Sequence, residues 1–538
     1  MSDFQLSISG LDVLVIVVYL ATIVAVGCLV GLRQRGVSGG EGYFLAGRSL
    51  TWPVIGLALF STNISTLELI SLAEEGYKSG LVYGNLELLA PLTLLLLGIV
   101  FAPLYIRSGV STLPEFLERR YGPESRRWLV VVAIASAIFI HLGFALFTGG
   151  KLLEGLFGVN LTLGIAVVLV LTGLYTIIGG LKAVALTEAV QTVVLLFGST
   201  MLLLAALGEV GGWSGLTAAL ADEPDRLSLL RSADVEPNMS WHAVLLGYPI
   251  IGIWYWCTDQ TIVQRVLGAK NVKHAQVGPI LTGFIKIVSL FIFILPGLAC
   301  YALVKQGKLD SPADTAQTLS HLIAHLLPAG ARGAVVAALL AALMSTVAGA
   351  LNSIATVFCY DIYRELRPQS TQRDLVRAGR IATLLAMLVA IAWAPNIGKF
   401  SSILQGNTAM ISYLAPGITA VFLWGVLWKG ASRAGAFATL TGGTLLGLIV
   451  FLLDWFKEHT GWHLSFMLAS FYLFLICSAI LFVVSWFTPQ WQTDDNKTLV
   501  WRTPGEPLSL PGWSGLGNYK VLAVLLLAAV AAVYLILG

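Results

Sequence analysis

The sequence predicts an all-α integral membrane protein with fourteen transmembrane helices. Hydrophobic residues make up 57% of the 538 positions and charged residues only 11%, which is far from the balance of a soluble domain. Apolar runs of about 18 or more residues, each long enough to cross a bilayer, recur along the chain. Most of the 32 lysines and arginines lie in alternate loops between these runs, as expected when basic loops stay on the cytoplasmic side of a cell membrane.

The apolar runs give the bounds of the predicted spans. In chain order they cover residues 11–32, 50–73, 81–106, 128–156, 160–178, 185–207, 241–259, 278–304, 331–357, 378–395, 402–428, 434–455, 464–487 and 519–537. The segment before the first run carries only one charge, Asp3, so this run is predicted to be a retained span and not a cleaved signal peptide. The basic loops place the N-terminus outside, and the even count returns the C-terminus outside.

Composition argues against several other classes of protein. The longest polar stretches, 208–239 and 488–518, are predicted to be interhelical loops, so residues 1–538 form one membrane domain. The five cysteines lack paired spacing, which argues against a disulfide framework or a zinc site. The net charge of +3 comes from loops, so no nucleic-acid partner is expected. The G-x-S-x-G match in "GVSGG" sits in a polar loop after a membrane helix, without the strand, histidine and acid that a nucleophile elbow needs, and the chain is predicted not to be an enzyme.

Two spans contain polar breaks. The second span holds "STNISTLE", Ser61 to Glu68, and the seventh ends in "WCTDQ". Such residues are tolerated in hydrocarbon only where they face protein or a water-filled cavity, so both spans are predicted to be interrupted helices. The breaks lie five helices apart. This spacing fits two five-helix repeats of inverted topology, each opening with a discontinuous helix, which is typical of secondary transporters.

Ionisable residues inside spans are costly and mark candidate functional positions. Five of those within the predicted spans are candidates: Glu68, Glu87, His141, Glu188 and Lys286. Each has a structural alternative, since a lysine can pair with a structural carboxylate, a carboxylate can bond backbone at a helix crossing, and a histidine can be a hydrogen-bonded core residue. Their joint presence favours a polar pathway through the membrane.

The ninth span contains adjacent hydroxyls in "LMSTVAGALNS". Ser345 and Thr346, with small neighbours, fit close helix packing and bonding back to carbonyls. They also offer hard oxygen ligands to a sodium ion, and an unwound "STNIS" segment would supply further carbonyl oxygens. Both interpretations are open from the residues alone.

As a set, the motifs resemble the sodium/solute symporter family, and the sodium/glucose cotransporter branch in particular. The resemblance is carried by "WYWCTDQTIVQR" followed by "AKNVKHAQ", and by "EGYFLAGRSL", "TLPEFLERRYG", "GGLKAVALTEAVQ", "LMSTVAGALNS", "DIYRELR" and "APGITAVFLWGVLWK". It covers most of the chain from about 42 to 430. The family's fold implies a first inverted repeat at 50–207, a second at 241–428 and peripheral helices at 434–537.

The resemblance implies roles for individual residues. Sodium would be bound by backbone carbonyls of Ser61, Ile64 and Ala342 and by the hydroxyls of Ser345 and Thr346. Tyr255 and Trp256 would form the inner gate and stacking surface, with Asn63 linked to Tyr255. Glu87 and Lys286 would hydrogen-bond the substrate, and Glu188 would lie on the ion's inward route.

Several positions depart from the family pattern, and these include further substrate-site candidates. Glu68 replaces a sugar-contacting glutamine or histidine, and His141 replaces an asparagine. Gly252 replaces a polar residue, and Thr408, with Asn407 and Gln405 nearby, stands for a glutamine. A buried site distinguishes ligands by hydrogen bonds left unmade, so these changes bear on the substrate. Ala348 stands where some members place a hydroxyl of a second sodium site, which favours one sodium per substrate.

The expected function is therefore sodium-coupled import of a neutral polyhydroxylated solute, a monosaccharide or a cyclitol, by alternating access. Sodium is the expected coupling ion, and the expected partners are this small molecule and the lipid bilayer. Two alternatives remain open from the sequence. One is a symporter of an organic acid, amino acid or vitamin, and the other is a non-transporting sugar sensor of the same fold.

Overall fold

The computed structural model describes residues 8–34, 39–399, 403–489, Asn496 and 498–538, and these ranges are helical with no β-strand. Within these described ranges, eleven helices are long and apolar enough to cross a membrane. They cover Gly10–Arg33, Thr66–Ser108, Pro123–Gly155, Leu161–Val210, Val272–Lys305, Ala331–Leu366, Gln372–Gly398, Gly406–Leu427, Arg433–Trp455, Phe466–Phe487 and Tyr519–Leu537. The described chain is thus an all-α protein with multiple candidate spans, as predicted.

The eleven candidate spans and the fourteen predicted runs differ at three places. Thr66–Ser108 joins the end of the second run to the third through a tight turn at 80–84. Leu161–Val210, here called the long helix, is continuous in length but bends sharply at Gly180 (φ 59°, ψ −162°), a non-helical residue that lies between the fifth and the sixth predicted runs. The seventh run is broken between Trp241–Ile253 and Gln260–Leu267, and neither piece reaches the length of a span.

Glycine is required at the bend of the long helix. A Cβ on Gly180 would lie 2.3 Å from the carbonyl oxygen of Tyr43, which is closer than such atoms approach. The positive φ there also favours glycine over any residue with a side chain. The chain therefore turns at Gly180 while the short helix Gly40–Phe44 packs tightly against the bend.

The first polar break is a true interruption of the helix. The first interrupted helix consists of Trp52–Asn63 and Thr66–Ser79, with Ile64 and Ser65 extended between them at ψ of 105° and 174°. Ser65 begins the second piece through a capping box with Glu68. Ser65 and Glu68 thus satisfy the free backbone amides where the second piece begins, which makes a break within the membrane tolerable.

The second break follows a widened turn. The second interrupted helix consists of Trp241–Ile253, a π-helical turn Trp254–Thr258, and Gln260–Leu267. Asp259 is extended at ψ 123°, and its side chain caps the last piece by accepting from the Thr261 amide at 2.6 Å. Such π turns are rare and occur often at functional sites.

The two interrupted helices lie among the most buried helices of the chain. Ala331–Val357 is buried along almost its whole length and packs against the long helix and Trp52–Asn63. Val272–Lys305 packs against both pieces of the first interrupted helix. In contrast, Gly10–Gln34 and Tyr519–Leu537 expose many apolar side chains, as expected for helices that face lipid.

Candidate functional site

A cluster of neutral oxygens lies where Ala331–Val357 meets the first break. The Ser345 hydroxyl is 2.7 Å from the Ser61 carbonyl oxygen and 2.9 Å from that of Ala342. The Thr346 hydroxyl donates to the Thr62 carbonyl at 3.1 Å. Of the five predicted sodium ligands, the structure therefore brings Ser61, Ala342 and Ser345 into direct contact, with Thr346 one residue away on the same helix.

The fifth predicted ligand, Ile64, ends the helix beside this cluster. Its amide still donates to the Phe60 carbonyl at 3.0 Å, but its extended backbone turns its own carbonyl out of the helical pattern. The Ser61 hydroxyl is buried and has no hydrogen-bond partner among the described residues. Hard, uncharged oxygens at a helix break, one of them unsatisfied, are suited to a monovalent cation that needs several such ligands.

A buried ion pair joins two other helices. Lys286 Nζ lies 2.7 and 2.8 Å from the two carboxylate oxygens of Glu87, and Ser289 also donates to this carboxylate. The side chains of Lys286 and Glu87 are only 2% and 5% exposed. The two charges cancel, so the pair can remain in the membrane while it offers strong hydrogen-bonding groups to a neutral ligand.

Aromatic rings surround the lysine of this pair. Lys286 Nζ is 5.7 Å from the centre of the Trp256 ring and 5.8 Å from that of Phe60. Trp256 in turn meets Tyr255 edge to face, with ring centres 5.2 Å apart. The polar pair and the aromatic residues predicted as gate and stacking surface therefore belong to one neighbourhood.

Tyr255 links the two interrupted helices. Asn63, the last residue before the first break, donates from its side-chain amide to the Tyr255 hydroxyl at 3.1 Å. Tyr255 lies in the π turn just before the second break. One hydrogen bond thus connects the two places where the helices are interrupted, as the resemblance implies.

This link predicts a coupled response to mutation. Asn63→Ala and Tyr255→Phe each remove the same hydrogen bond, which contributes about 1 kcal/mol to holding the gate closed. Each change is therefore expected to raise the rate of substrate release to the inner side several-fold. The double variant should release substrate no faster than the single variants, as a double-mutant cycle for one shared contact requires. Efflux from preloaded vesicles measures this, and additive effects of the two changes would show that the bond does not hold the gate.

An arginine that the sequence did not single out neutralises Glu188. Arg265 lies on Gln260–Leu267, is fully buried, and donates to both carboxylate oxygens of Glu188, with Nε at 3.1 Å. The predicted spans end at 259 and resume at 278, which would leave this residue in a loop, whereas it lies on a buried helix. The signal available was the unpaired Glu188 itself, because a buried carboxylate needs a cation.

Thr62 connects the oxygen cluster to this second ion pair. Its carbonyl accepts from Thr346, and its hydroxyl donates to Glu188 at 3.1 Å. The Glu188 carboxylate is therefore separated from the predicted sodium ligand Thr346 by a single intervening residue, Thr62, which contacts both. This position is compatible with the ion route that the resemblance implies for Glu188.

The remaining predicted substrate residues make other contacts. Glu68 accepts from the Ser65 amide at 2.8 Å as part of the helix cap. His141 Nε2 lies 3.0 Å from Asp259 Oδ2, with its ring centre 6.0 Å from that of Tyr255. Thr408 donates to the Leu404 carbonyl of its own helix at 2.9 Å. His141 therefore adjoins another predicted residue, Tyr255. The side chain of Gln405 is outside the described part of the structure.

Gly252 has a packing role at a contact between two helices. A Cβ at this position would lie 2.8 Å from Cγ2 of Thr93, which is on the helix that carries Glu87. The glycine lets the second interrupted helix approach that helix closely. A larger residue here would push apart the two helices that carry Tyr255 and Glu87.

Comparisons with known proteins give one consistent result. The sequence profile of the sodium:solute symporter family matches residues 43–443. Sodium/glucose cotransporter 4 of Mus musculus is 33% identical over 93% of this chain and 78% of that protein. Sodium/myo-inositol cotransporter 2 of Bos taurus is 32% identical over 92% and 80%. Sodium/glucose cotransporter 1 of Oryctolagus cuniculus is 34% identical over 81% and 71%.

A solved structure is similar in fold. A Na+-coupled sialic acid symporter in a substrate-bound outward-open state superposes with a TM-score of 0.77 at 20% identity. The match covers 90% of this chain and 99% of the other. At this level of identity the likeness concerns the fold and not the ligand.

Proposed function

The chain belongs to the sodium:solute symporter family, and we propose that it imports a neutral polyhydroxylated solute, a monosaccharide or a cyclitol, together with sodium. It is a multi-pass membrane transporter, it is not an enzyme, and its coupling ion is sodium. The similar proteins that take glucose or myo-inositol support the choice of solute. The cell membrane is the proposed location, with both termini outside.

The observation that carries the choice of solute is the charge balance of the buried polar groups. Lys286 is paired with Glu87, and Arg265 is paired with Glu188. Neither of these two cations is left to hold a carboxylate, and Arg120, which is also buried, donates to the backbone carbonyls of Gly425 and Trp428. This disfavours an organic acid or an amino acid as substrate. The Glu87–Lys286 pair beside Trp256 instead suits a ligand with hydroxyl groups and a C–H face.

For the ion, we infer a site formed by carbonyls of Ser61, Ile64 and Ala342 and hydroxyls of Ser345 and Thr346. The contacts of Ser345 with Ser61 and Ala342 support this set. A site of neutral oxygens holds sodium weakly, because no full charge offsets the lost hydration. Weak binding suits a transporter that must release the ion inside.

The proposed inner gate and ion exit rest on two hydrogen bonds, Asn63 to Tyr255 and Thr62 to Glu188. We infer that Asn63 and Tyr255 close the inner side beneath the substrate, and that Trp256 contributes the stacking surface. Glu188 is proposed to receive the ion after release, because Thr62 joins it to Thr346. Glu68, His141 and Thr408 remain proposed substrate residues. To reach the ligand, Glu68 would have to leave the Ser65 amide, and Thr408 would have to leave the Leu404 carbonyl.

The finer architecture is also a proposal. We infer fourteen spans, with inverted repeats at 50–207 and 241–428 and peripheral helices at 434–537. The two helix breaks support this division, since each lies in the opening helix of a proposed repeat. In such an arrangement the substrate and ion sites lie between the repeats near the middle of the membrane.

Equilibrium binding to the purified full-length protein tests the choice of solute. A panel of labelled hexoses, cyclitols, carboxylates and amino acids is measured with sodium and with potassium in its place. We expect binding only of the polyhydroxylated neutral compounds, strengthened by sodium because the two ligands favour the same state. Tight binding of a carboxylate, with none of the sugars or cyclitols bound, would replace the proposed solute class by the acid alternative.

A further inference from the structure

A crevice on the predicted cytoplasmic side is lined by three arginines of one helix. It has a volume of about 230 Å³ and lies between the end of Gly10–Gln34, the bend of the long helix and the start of Gln372–Trp393. Arg373, Arg377 and Arg380 line it together. Their spacing of four and three residues puts all three on the same helix face.

The positive charge of this crevice is not balanced by its walls. No carboxylate is among the described residues that line it. Asp374, which caps its own helix by accepting from the Thr371 amide at 3.0 Å, is the nearby carboxylate and balances at most one of the three positive charges. Arg380 donates to the Ile177 carbonyl at 3.1 Å, which fixes its guanidinium at the crevice wall. Arginines that served only to fix the orientation of the chain in the membrane would not need to line one crevice together.

The crevice opens onto surface that faces lipid. Leu32 and Ile381, the chain neighbours of the lining residues Gly31 and Arg380, are 47% and 58% exposed. Further along Gln372–Trp393, Leu384, Leu385 and Leu388 are at least half exposed. A ligand here would therefore have an anionic group among arginines and apolar chains along the neighbouring helices.

From this combination we propose that the crevice binds the phosphate headgroup of an anionic phospholipid, whose acyl chains lie against the exposed leucines. Guanidinium groups bind phosphate with paired hydrogen bonds, and basic residues near the membrane surface attract anionic lipids. The lipid would join the first helix to Gln372–Trp393.

Lipid binding to the full-length protein in detergent tests this proposal. Native mass spectrometry would count bound phosphatidylglycerol, phosphatidylcholine and glycerol 3-phosphate for wild type and for Arg373→Gln/Arg377→Gln. We expect retention of one phosphatidylglycerol by the wild type and a roughly tenfold or greater loss of affinity in the variant, since each basic group contributes several-fold. Arg380 is left in place because it also holds the backbone.

A matched control separates the crevice from general surface charge. Arg364→Gln/Arg367→Gln removes two exposed arginines from the preceding turn, outside the crevice. It should retain phosphatidylglycerol, and Arg373→Lys/Arg377→Lys should retain most of it. Equal loss in the control, equal retention of phosphatidylcholine, or displacement of the lipid by soluble glycerol 3-phosphate would each overturn the assignment.

Discussion

Replacing Thr346 by Val is expected to abolish sodium-driven accumulation of substrate. The change keeps the shape of the side chain but removes a hydroxyl that now donates to the Thr62 carbonyl at the first break. With about five neutral ligands and no charge to compensate, losing one oxygen should weaken sodium binding by roughly tenfold or more. Ser345→Ala should act similarly, because this hydroxyl contacts the carbonyls of both Ser61 and Ala342.

The dependence of uptake on sodium concentration measures this effect. Thr383→Val is the matched control, because it removes a buried hydroxyl that donates to the Gly379 carbonyl of its own helix. The control should keep the sodium dependence of the wild type, while both site variants need far more sodium for half-maximal uptake. Unchanged sodium dependence in Thr346→Val and Ser345→Ala would place the ion elsewhere.

Loss of either member of the Glu87–Lys286 pair is expected to remove substrate binding. Each group should contribute about 1 to 3 kcal/mol through hydrogen bonds to the ligand. In addition, Lys286→Gln leaves the Glu87 carboxylate buried without its cation, a change that typically costs about 3 to 5 kcal/mol of stability. The single variants therefore risk failing to fold.

The double variant Glu87→Gln/Lys286→Gln keeps the site neutral and resolves this ambiguity. It should fold and still bind sodium, but bind substrate at least tenfold more weakly than the wild type. Thermal unfolding with and without sodium, followed by equilibrium substrate binding, gives both quantities. Wild-type substrate affinity in the folded double variant would assign the pair a structural role alone.

The sequence was informative where a residue conflicts with hydrocarbon. The polar run around Ile64 and the "WCTDQ" segment predicted helix breaks, and both breaks are present. Glu87 and Lys286 were identified because isolated charges in spans are costly, and the structure pairs them with each other. In each case a strong local penalty leaves few structural solutions.

The sequence was less informative about partners between distant segments. Arg265 follows a helix break and was assigned to a loop, although it lies fully buried on a short helix beside Glu188. The partner of His141 is Asp259, 118 positions away. Gly180, where the long helix bends, lies too close to the Tyr43 carbonyl to carry a side chain. Such contacts come from tertiary packing, and no local pattern specifies them.

Uptake into proteoliposomes with an imposed sodium gradient tests the account most directly. The purified protein is given labelled glucose, galactose or myo-inositol at equal concentration on both sides, with sodium outside and potassium inside. We predict transient accumulation of at least one of these solutes above its outside concentration, lost when a sodium ionophore dissipates the gradient. Binding of the solute without any accumulation, or accumulation unaffected by the ionophore, would contradict sodium-coupled import.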